Sequence, residues 1–352
     1  MLLVGALIVW AAPLSGAAMS GKDIARYLAF PPRTEAVVQA PFSWAWFVVL
    51  SMLVLASAAL IVLALAGARP PQRAEGRAHA FPLWGWLGLV LAAAGWLAAW
   101  SELAPAEWRR QAFTPLWLGY VLAMDGVVHR RGHSLIAGRP RFFAALFPAS
   151  AVFWWMFEHL NQFVGNWHYA GVRAGGDWSY FLQGTLPFST VLPAIAVTWT
   201  WLRQFPRLET LRLPALRGHP ALAWAALSAG ALGLAATAAW PHALFSLLWL
   251  GPLLVFGGLQ QLLLGETLLA PLARGDWRPL LQPALAALAC GLLWEFWNYW
   301  SLARWHYTIP HLQRFHLFEM PLLGYAGYLP FGVTSALVQD TLARLIDQRR
   351  LY

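Results

Sequence analysis

The sequence predicts an all-α fold, a polytopic transmembrane bundle of about ten helices with a parallel 4+4 helix internal duplication. The first observation is composition: 59% of the residues are hydrophobic and 11% are charged, whereas a soluble domain carries about 25% charged residues. A chain so poor in charge cannot cover a surface that faces water, so lipid must surround much of it. The second observation is a series of long apolar runs, and the third is a set of short motifs that recur in order.

The apolar runs are long enough to cross a bilayer, which takes about 20 residues for a helix. A helix is the only open-chain element that satisfies its own backbone in hydrocarbon. The first run can be a signal peptide or an uncleaved helix, and the lack of a positively charged start favours the helix. The predicted runs are 1–19, 43–67, 81–100, 113–129, 141–160, 181–202, 220–240, 242–264, 279–300 and 317–341.

The charges lie between the apolar runs and predict an orientation. The net charge is +9, but the basic residues form no basic face, which excludes a nucleic-acid partner. About two thirds of the 24 basic residues fall in alternate loops and the C-terminal tail, which predicts that these lie in the cytoplasm of a bacterial inner membrane. That set comprises Arg69, Arg73, Arg77, Arg130, Arg131, Arg139, Arg141, Arg203, Arg207, Arg212, Arg217, Arg274, Arg278, Arg344, Arg349 and Arg350.

An internal repeat divides the chain. Residues 81–203 form a first unit and residues 220–352 a second unit with a cytoplasmic tail, joined by a basic linker at 204–219. Residues 1–80, an N-terminal two-helix segment with an outer linker, lie outside the repeat. Four helices per unit predict two copies related by an axis along the membrane normal. The recurring strings are Leu116-Trp117-Leu118-Gly119 and Leu248-Trp249-Leu250-Gly251, Gly132-His133-Ser134-Leu135 and Gly265-Glu266-Thr267-Leu268, Glu158-His159-Leu160-Asn161 and Glu295-Phe296-Trp297-Asn298, Trp167-His168-Tyr169 and Trp305-His306-Tyr307, and the predicted helix starts Leu186-Pro187-Phe188 and Met320-Pro321-Leu322.

Each unit carries a glutamate at the predicted outer end of its third helix, and these are candidate catalytic residues. Glu158 and Glu295 are each followed three positions later by an asparagine on the same helical face. Glu319, at the predicted start of the last helix, is the third candidate. An acid in apolar surroundings is favoured in its neutral form and can donate a proton. Ionisable residues inside a span are costly and usually functional, although a glutamate at a helix end can simply be solvated.

The candidate substrate-binding residues surround these acids. Aromatic rings of this kind can stabilise a cation through their faces, but Trp and Tyr also concentrate at membrane interfaces without any chemical role. The two asparagines can equally form helix–helix hydrogen bonds. His168 and His306 show no short metal-ligand spacing, so no metal and no cofactor is expected. The binding candidates are Asn161, Asn298, Trp167, Tyr169, Trp305 and Tyr307, with Trp294 and Trp297 as further rings.

Two further residues lie within apolar runs. Asp125, with His129, His133, Gln260 and Gln261 at similar depth, can form a polar path through the bundle, or Asp125 can pair locally with an arginine. Cys290 is the single cysteine, which excludes a disulfide framework and predicts a small buried side chain.

The second unit resembles the lycopene cyclase domain of bacterial and fungal carotenoid enzymes. Trp294-Glu295, Trp305-His306-Tyr307 and Phe318-Glu319-Met320-Pro321 carry the resemblance. It implies an enzyme that cyclises an isoprenoid by acid initiation without a change of redox state. The family has Asp at the positions of Glu158 and Glu295, and its paired acids follow the proline. The first unit has Thr185 at the place that Glu319 takes in the second unit. The chain also resembles bacterial polytopic membrane proteins that have no assigned activity.

Three functions follow from these patterns. The first is an enzyme acting on a membrane lipid or isoprenoid through Glu158 and Glu295, because the acid-plus-aromatic pattern occurs twice. The second is a small-solute or ion transporter with its site between the two units, since parallel duplication is common in transporters. The third is a non-catalytic scaffold or sensor that binds through residues 20–41.

Overall fold

The structure is a computed structural model that describes residues 1–69, 78–216, 218–219 and 221–351. Arg73, Arg77, Arg217 and the predicted start of the second unit, Pro220, lie outside the described residues. The described chain is mostly helical. In its first part the helices are α1 (Leu2–Met19), α2 (Ala25–Leu28), α3 (Trp44–Ala66), α4 (Leu83–Trp100), α5 (Ala106–Gln111), α6 (Phe113–His129), α7 (Leu135–Gly138), α8 (Pro140–Val164), α9 (Asp177–Phe188) and α10 (Val191–Leu202).

The second part repeats the alternation of long helices with short connections. Pro279, like Pro140 in the first unit, stands in the first turn of a long helix, where its missing N–H has no helical partner to lose. The helices are α11 (Ala221–Ala239), α12 (Pro241–Leu244), α13 (Leu247–Leu264), α14 (Arg278–Tyr299) and α15 (Tyr328–Asp347).

Several of the helices are long and apolar enough to cross a membrane, and they indicate a multi-pass membrane protein. Within the described residues, 7 apolar segments meet this criterion by length and composition. They are Leu2–Met19, Trp44–Ala66, Leu83–Trp100, Asp177–Leu202, Ala221–Ala239, Leu247–Leu264 and Arg278–Tyr299. The figure of about ten spans stays a prediction, since α6, α8 and α15 are not among these segments.

Two of the predicted helices have different bounds. The run 181–202 forms two helices, because α9 ends at Phe188 and α10 begins at Val191. The run 317–341 begins with a hairpin and a 3-10 helix, Leu322–Gly327, before α15 starts. The prediction that each proline starts a helix is therefore wrong: Pro187 lies in the last turn of α9 and Pro321 in a strand. Hydropathy detects apolar residues but not the direction of the backbone that carries them.

Small residues bring neighbouring helices into close contact. In the pair α4 and α6, a Cβ added to Gly119 would overlap the backbone of Ala92 in the facing helix. In the pair α11 and α13, a Cβ on Gly258 would lie 2.7 Å from the carbonyl oxygen of Ala223. Close approach through small residues is typical of helix packing in membranes. Helices from the two parts of the chain also contact one another, since α10 contacts α14 and α15 contacts α8.

Two short antiparallel pairs of strands complete the fold. Strand β1 (Trp167–Ala170) pairs antiparallel with β2 (Arg304–Tyr307), so the two Trp-His-Tyr strings form one sheet across the two units. Strand β3 (His316–Leu317) pairs with β4 (Met320–Pro321). We call the end of the bundle that carries β1 and β2 the sheet end.

Two contacts join segments that the alternation of charge predicts to lie on the same side of the membrane. At the sheet end, Asn161 donates a hydrogen bond of 3.0 Å to the hydroxyl of Thr34 in the segment 20–41. On the other predicted side, Arg139 after α7 binds Asp347 at the end of α15 at 2.7 Å. Segments predicted to share a side of the membrane therefore meet.

Candidate functional site

Glu158 lies in the last two turns of α8 and is held by three hydrogen-bond donors. Its Oε1 accepts from the Tyr169 hydroxyl at 2.6 Å, from Trp154 Nε1 at 2.9 Å and from Trp167 Nε1 at 3.1 Å. The side chain is 1% exposed. Trp154 stands four residues before the glutamate, which places both on one helical face, and the other two donors come from β1. These bonds replace the water that a buried carboxyl group loses.

Glu295 occupies the same place on α14. Its Oε1 accepts from the hydroxyls of Tyr307 and Tyr328 at 2.7 Å and 2.8 Å, and from Trp305 Nε1 at 3.4 Å. Trp305 Nε1 also donates to the Tyr307 hydroxyl at 3.0 Å. The residue is fully buried, and its second oxygen, Oε2, has no hydrogen-bond partner among the described residues. One oxygen of this acid thus has three donors, while the other has none among the described residues.

The sheet of β1 and β2 brings the two acids to one place. Its register pairs Trp167 with Tyr307 and Tyr169 with Trp305. Because side chains alternate along a strand, these four rings share one face, the face that donates to the glutamates. His168 and His306 share the other face, with ring centroids 5.7 Å apart. The described structure therefore brings the two glutamate-bearing turns together.

Asn161 and Asn298 hold the turns that lead into the strands. The Asn298 amide donates to the carbonyl of Trp305 at 2.8 Å, and its oxygen accepts from the N–H of the same residue at 2.9 Å. Asn161 makes the corresponding bonds to Trp167, at 2.7 Å and 3.3 Å, and also accepts from the N–H of Asn166 at 2.8 Å. Both amides thus orient the strand that carries the donors.

A cavity of about 140 Å³ lies in front of the donors, between the two units. It is partly open and mostly apolar. The two glutamates and the two asparagines are not among its lining residues, so the rings that bond the acids separate them from the cavity. The lining comprises Arg110, Phe113, Trp154, Trp155, Trp167, Tyr169, Val172, Tyr180, Gln183, Gly184, Pro187, Phe188, Val191, Trp249, Trp294, Ala303, Arg304, Trp305, Tyr307, Met320, Gly324, Gly327 and Tyr328.

The two strand tyrosines remain protonated at neutral pH. Burial, followed by the negative charge of Glu158, raises the pKa of Tyr169 well above its usual value. Burial and the charge of Glu295 raise the pKa of Tyr307 in the same way. Each hydroxyl therefore keeps a proton, donates it to a carboxylate, and lines the cavity at the same time.

The third candidate acid, Glu319, lies on the histidine side of the sheet. Its Oε2 is 2.9 Å from Nδ1 of His306, and the side chains are 21% and 29% exposed. Since His306 Nε2 accepts from Arg304 Nε at 3.3 Å, Nδ1 carries the hydrogen that Glu319 accepts. Burial and the neighbouring His306 lower the pKa of His168. Within the described residues, no group of three His, Cys, Asp or Glu side chains could hold a metal ion.

The sequence offered pairing with an arginine as one role for Asp125, but among the described residues its partners are a turn and a tryptophan. Its Oδ1 accepts from the N–H of Leu135 at 2.7 Å, and its Oδ2 accepts from the hydroxyl of Ser134 at 2.6 Å and from Trp84 Nε1 at 3.2 Å. The carboxylate thus closes the turn that follows α6. Closing this turn accounts for a buried acid at position 125 without a chemical role.

Gln260 does for the second unit what Asp125 does for the first. Its Oε1 accepts from the N–H of Leu268 at 2.7 Å and from the hydroxyl of Thr267 at 3.0 Å, which closes the turn after α13. Gln261 bonds the carbonyl of Gly265 at 3.0 Å. These polar groups hold turns, so they provide no support for the predicted polar path. Cys290 is buried, as predicted.

Some site residues were missed in the sequence. Trp154 could have been found, because it lies one helical turn before Glu158. Tyr328 and Trp249 come from other elements, and no spacing connects them with either acid. Arg110 and Arg304 belong to the remaining third of the basic residues, for which the sequence predicts no role at a site, yet they are the charged residues among the described lining.

The fold and the site thus define a multi-pass helical membrane protein with paired buried acids behind an aromatic cavity. Comparison with known protein families, curated proteins and solved structures gives no match.

Proposed function

We propose that the chain is a membrane-embedded enzyme that acts on a lipid or isoprenoid, with Glu158 and Glu295 as acid and base. The observation that carries the proposal is the pair of buried carboxyl groups, each bonded by three donors that also wall one cavity. Strongly desolvated acids beside an apolar cavity are typical of functional sites. The resemblance to the lycopene cyclase domain points to the same chemistry.

The tyrosine hydroxyls connect the acids with the cavity. In the reacting arrangement Tyr169 accepts the hydrogen of a protonated Glu158 and turns its own hydroxyl hydrogen towards the cavity. The proton of the acid then passes to the tyrosine oxygen as the tyrosine's own proton passes to a carbon of a substrate double bond. The new C–H bond uses the electrons of that double bond and leaves a carbocation, which the aromatic faces stabilise. After the double bonds rearrange, loss of a proton through Tyr307 to an ionised Glu295 restores the neutrality of the product. Glu158 is then ionised and Glu295 protonated, and proton exchange with water returns both acids to their starting states. No electron is gained or lost, so an isomerisation or cyclisation requires no redox cofactor.

The remaining candidates have supporting roles in this proposal. Trp167 and Trp305 offer ring faces to the substrate, while Asn161 and Asn298 keep those rings in position. Glu319, bonded to His306 and partly exposed, exchanges protons between the site and water.

The proposal includes a duplication and an orientation. The matched bonds of Asn161 and Asn298, and of Asp125 and Gln260, support two parallel copies about an axis along the membrane normal. The distribution of arginine supports a bacterial inner membrane with the sheet end outside and the C-terminus in the cytoplasm. A reporter fused after Asp347 tests the orientation, because activity of a periplasm-specific reporter there would contradict it.

The enzymatic proposal is tested by lipid analysis of cells that express the chain. We expect the wild type to change the isoprenoid or lipid profile, and Glu158→Gln and Glu295→Gln each to abolish that change, because an amide keeps the shape but cannot carry the proton. Glu102→Gln, at an exposed position, is the matched control and should behave as the wild type. If the folded Glu295→Gln variant gave the same altered lipid profile as the wild type, the proposal would be contradicted.

Transport of a small solute is the alternative, favoured by a cavity between the two units. It predicts flux of a solute into liposomes containing the purified chain, with no new chemical product. Detection of flux without any altered lipid would favour transport over catalysis.

A further inference from the structure

The aromatic cavity has two cationic groups in its wall, and the enzymatic proposal does not use them. Arg110 and Arg304 are the charged side chains among the described lining residues. Neither belongs to a spanning helix: Arg110 lies in the short helix α5 and Arg304 in β2. The cavity is otherwise mostly apolar, so an uncharged hydrocarbon alone leaves these two charges without a function.

The sheet brings the two arginines to the same edge. Arg304 is the strand partner of Ala170. Arg110 Nε donates to the carbonyl of the next residue, Gly171, at 3.2 Å. Gly171 has φ +74° and crosses close to Leu302, whose carbonyl oxygen a Cβ would overlap. A glycine is required at this crossing, and the tight crossing fixes one arginine relative to the other.

Both guanidinium groups are anchored and keep donors available. Arg304 Nη1 donates to the carbonyl of Tyr299 at 3.0 Å, and its Nε to His306. Arg110 Nη1 donates to Glu107 at 3.2 Å, while its own side chain is 12% exposed and that of Glu107 is 78% exposed. In both arginines the Nη2 amino group makes no hydrogen bond within the described chain. Two fixed guanidinium groups with free donors suit an oxyanion such as phosphate.

The size of the cavity limits what can enter beside such an anion. Its volume of about 140 Å³ is close to that of an engineered cavity of about 150 Å³ that holds benzene. One branched five-carbon segment fits this space, and a whole polyene does not. Because the cavity is partly open, the rest of a chain can continue into the surrounding lipid.

We propose that the ligand is an amphiphile with a phosphate-class headgroup, held by Arg110 and Arg304, and with its first hydrocarbon segment against the aromatic wall. This inference rests on the proposed function in that it names the substrate class of the same site. With the headgroup on the two arginines, the first double bond of a prenyl phosphate would lie beside the donors Tyr169 and Tyr307.

Isothermal titration calorimetry of the purified full chain in detergent tests the proposal. The probes are geranyl phosphate, geraniol and inorganic phosphate. We expect geranyl phosphate to bind about tenfold or more tightly than geraniol, since charged hydrogen bonds are the stronger ones. Arg110→Gln and Arg304→Gln should each remove that preference. Inorganic phosphate should bind far more weakly than geranyl phosphate, because it lacks the hydrocarbon.

The controls separate the possible failures. Arg173→Gln changes the same charge at an exposed position outside the cavity lining and should keep the preference. Glu295→Gln should also bind geranyl phosphate, so that a failed enzymatic proposal and a failed binding proposal are distinguishable. Equal affinity for geraniol and its phosphate would overturn the inference. So would equal affinity for inorganic phosphate, or an equal loss in Arg173→Gln.

Discussion

The two glutamate sites have the same number of donors but obtain the third donor differently. In the first unit it is Trp154, four residues before Glu158 on the same helix. The position four residues before Glu295 is Gly291, and the Tyr328 ring from α15 fills the space that a side chain there would take. The second site thus replaces a ring on its own helix with a ring on another. What both sites preserve is the set of three hydrogen bonds.

Each buried glutamate needs hydrogen-bond donors, but the residues that supply them can differ. A carboxyl group without water needs donors, and a helix face or a neighbouring helix can supply them equally well. The strand donors, one Trp and one Tyr in each unit, are common to both sites because the sheet places them. The exchanged donor explains why a short repeated string contains the acids and the strands but not Trp154 or Tyr328.

Removal of either acid should produce the largest effect. Glu158→Leu leaves three donors without an acceptor, and Glu295→Leu leaves two, because Trp305 Nε1 keeps the Tyr307 hydroxyl as an acceptor; an unsatisfied buried group costs about 1–3 kcal/mol. We therefore expect each variant to lose about 3 kcal/mol or more of the free energy of unfolding, measured by thermal unfolding in detergent. The corresponding Gln variants should lose much less. A large loss at one site alone would show that the two sites are not equivalent.

The asparagines should separate the sites further. Asn161 makes four hydrogen bonds, including one to Thr34, whereas Asn298 makes two. At about 0.5–1.5 kcal/mol for each bond, we expect Asn161→Ala to destabilise the fold about twice as much as Asn298→Ala. Thr34→Ala, which removes one bond, is the control for the difference. Equal losses for the two asparagine variants would mean that the additional bonds of Asn161, to Thr34 and Asn166, do not stabilise the fold.

Gly291 should be intolerant of any side chain. A Cβ there would overlap the ring of Tyr328, so Gly291→Ala must displace a donor of Glu295, and overpacking of this kind costs about 1–3 kcal/mol. Gly138→Ala is the control, because no described atom lies within 4 Å of an added Cβ. Combining Gly291→Trp with Tyr328→Leu transplants the arrangement of the first unit and should recover part of what Gly291→Trp alone loses. Strictly additive losses in thermal unfolding would refute the exchange of donors.

Much of the fold could be predicted, because lipid demands long apolar helices and these are visible as runs of residues. The helix 113–129 has the predicted bounds, and α4 ends at the predicted Trp100. The hairpin of β3 and β4 could not be predicted, since residues 317–327 are as apolar as a helix. Phe318 takes φ +57° there, a value set by the contacts of the folded chain and not by hydropathy.

The site was predictable to the extent that its residues repeat. The acids, asparagines and strand rings were found because each occurs twice in order. Asp125 was misinterpreted, because an acid in an apolar run suggests a charged partner, whereas its partners are the N–H groups of the next turn. The arginines of the cavity could not be distinguished from anchoring charges. The register of β1 and β2, together with the hydrogen bond from Arg110 to Gly171, shows that Arg110 and Arg304 share an edge.

The smallest expected effect concerns the two histidines on the other face of the sheet. Burial and the neighbouring His306 lower the pKa of His168 in the folded protein, while an unfolded histidine titrates near about 6.5. The unfolded chain therefore binds more protons as the pH falls below that value, so the contribution of His168 to stability is complete above about pH 6.5 and decreases on acidification. His168 is only partly buried, and solvent screening keeps the effect small.

The measurement is the unfolding temperature of the wild type and of His168→Asn between about pH 8 and pH 5, on either side of the reference value. We expect the wild type to lose more stability than the variant over this range. His306→Asn should reduce the wild-type loss, because it removes one of the two causes of the shift and leaves the other, burial, in place. A wild type that gains stability on acidification relative to His168→Asn would mean that His168 is stabilised in its charged form. His168 would then carry a positive charge at low pH, and the two units would differ in the charge of this histidine as well as in the source of the third donor to each glutamate.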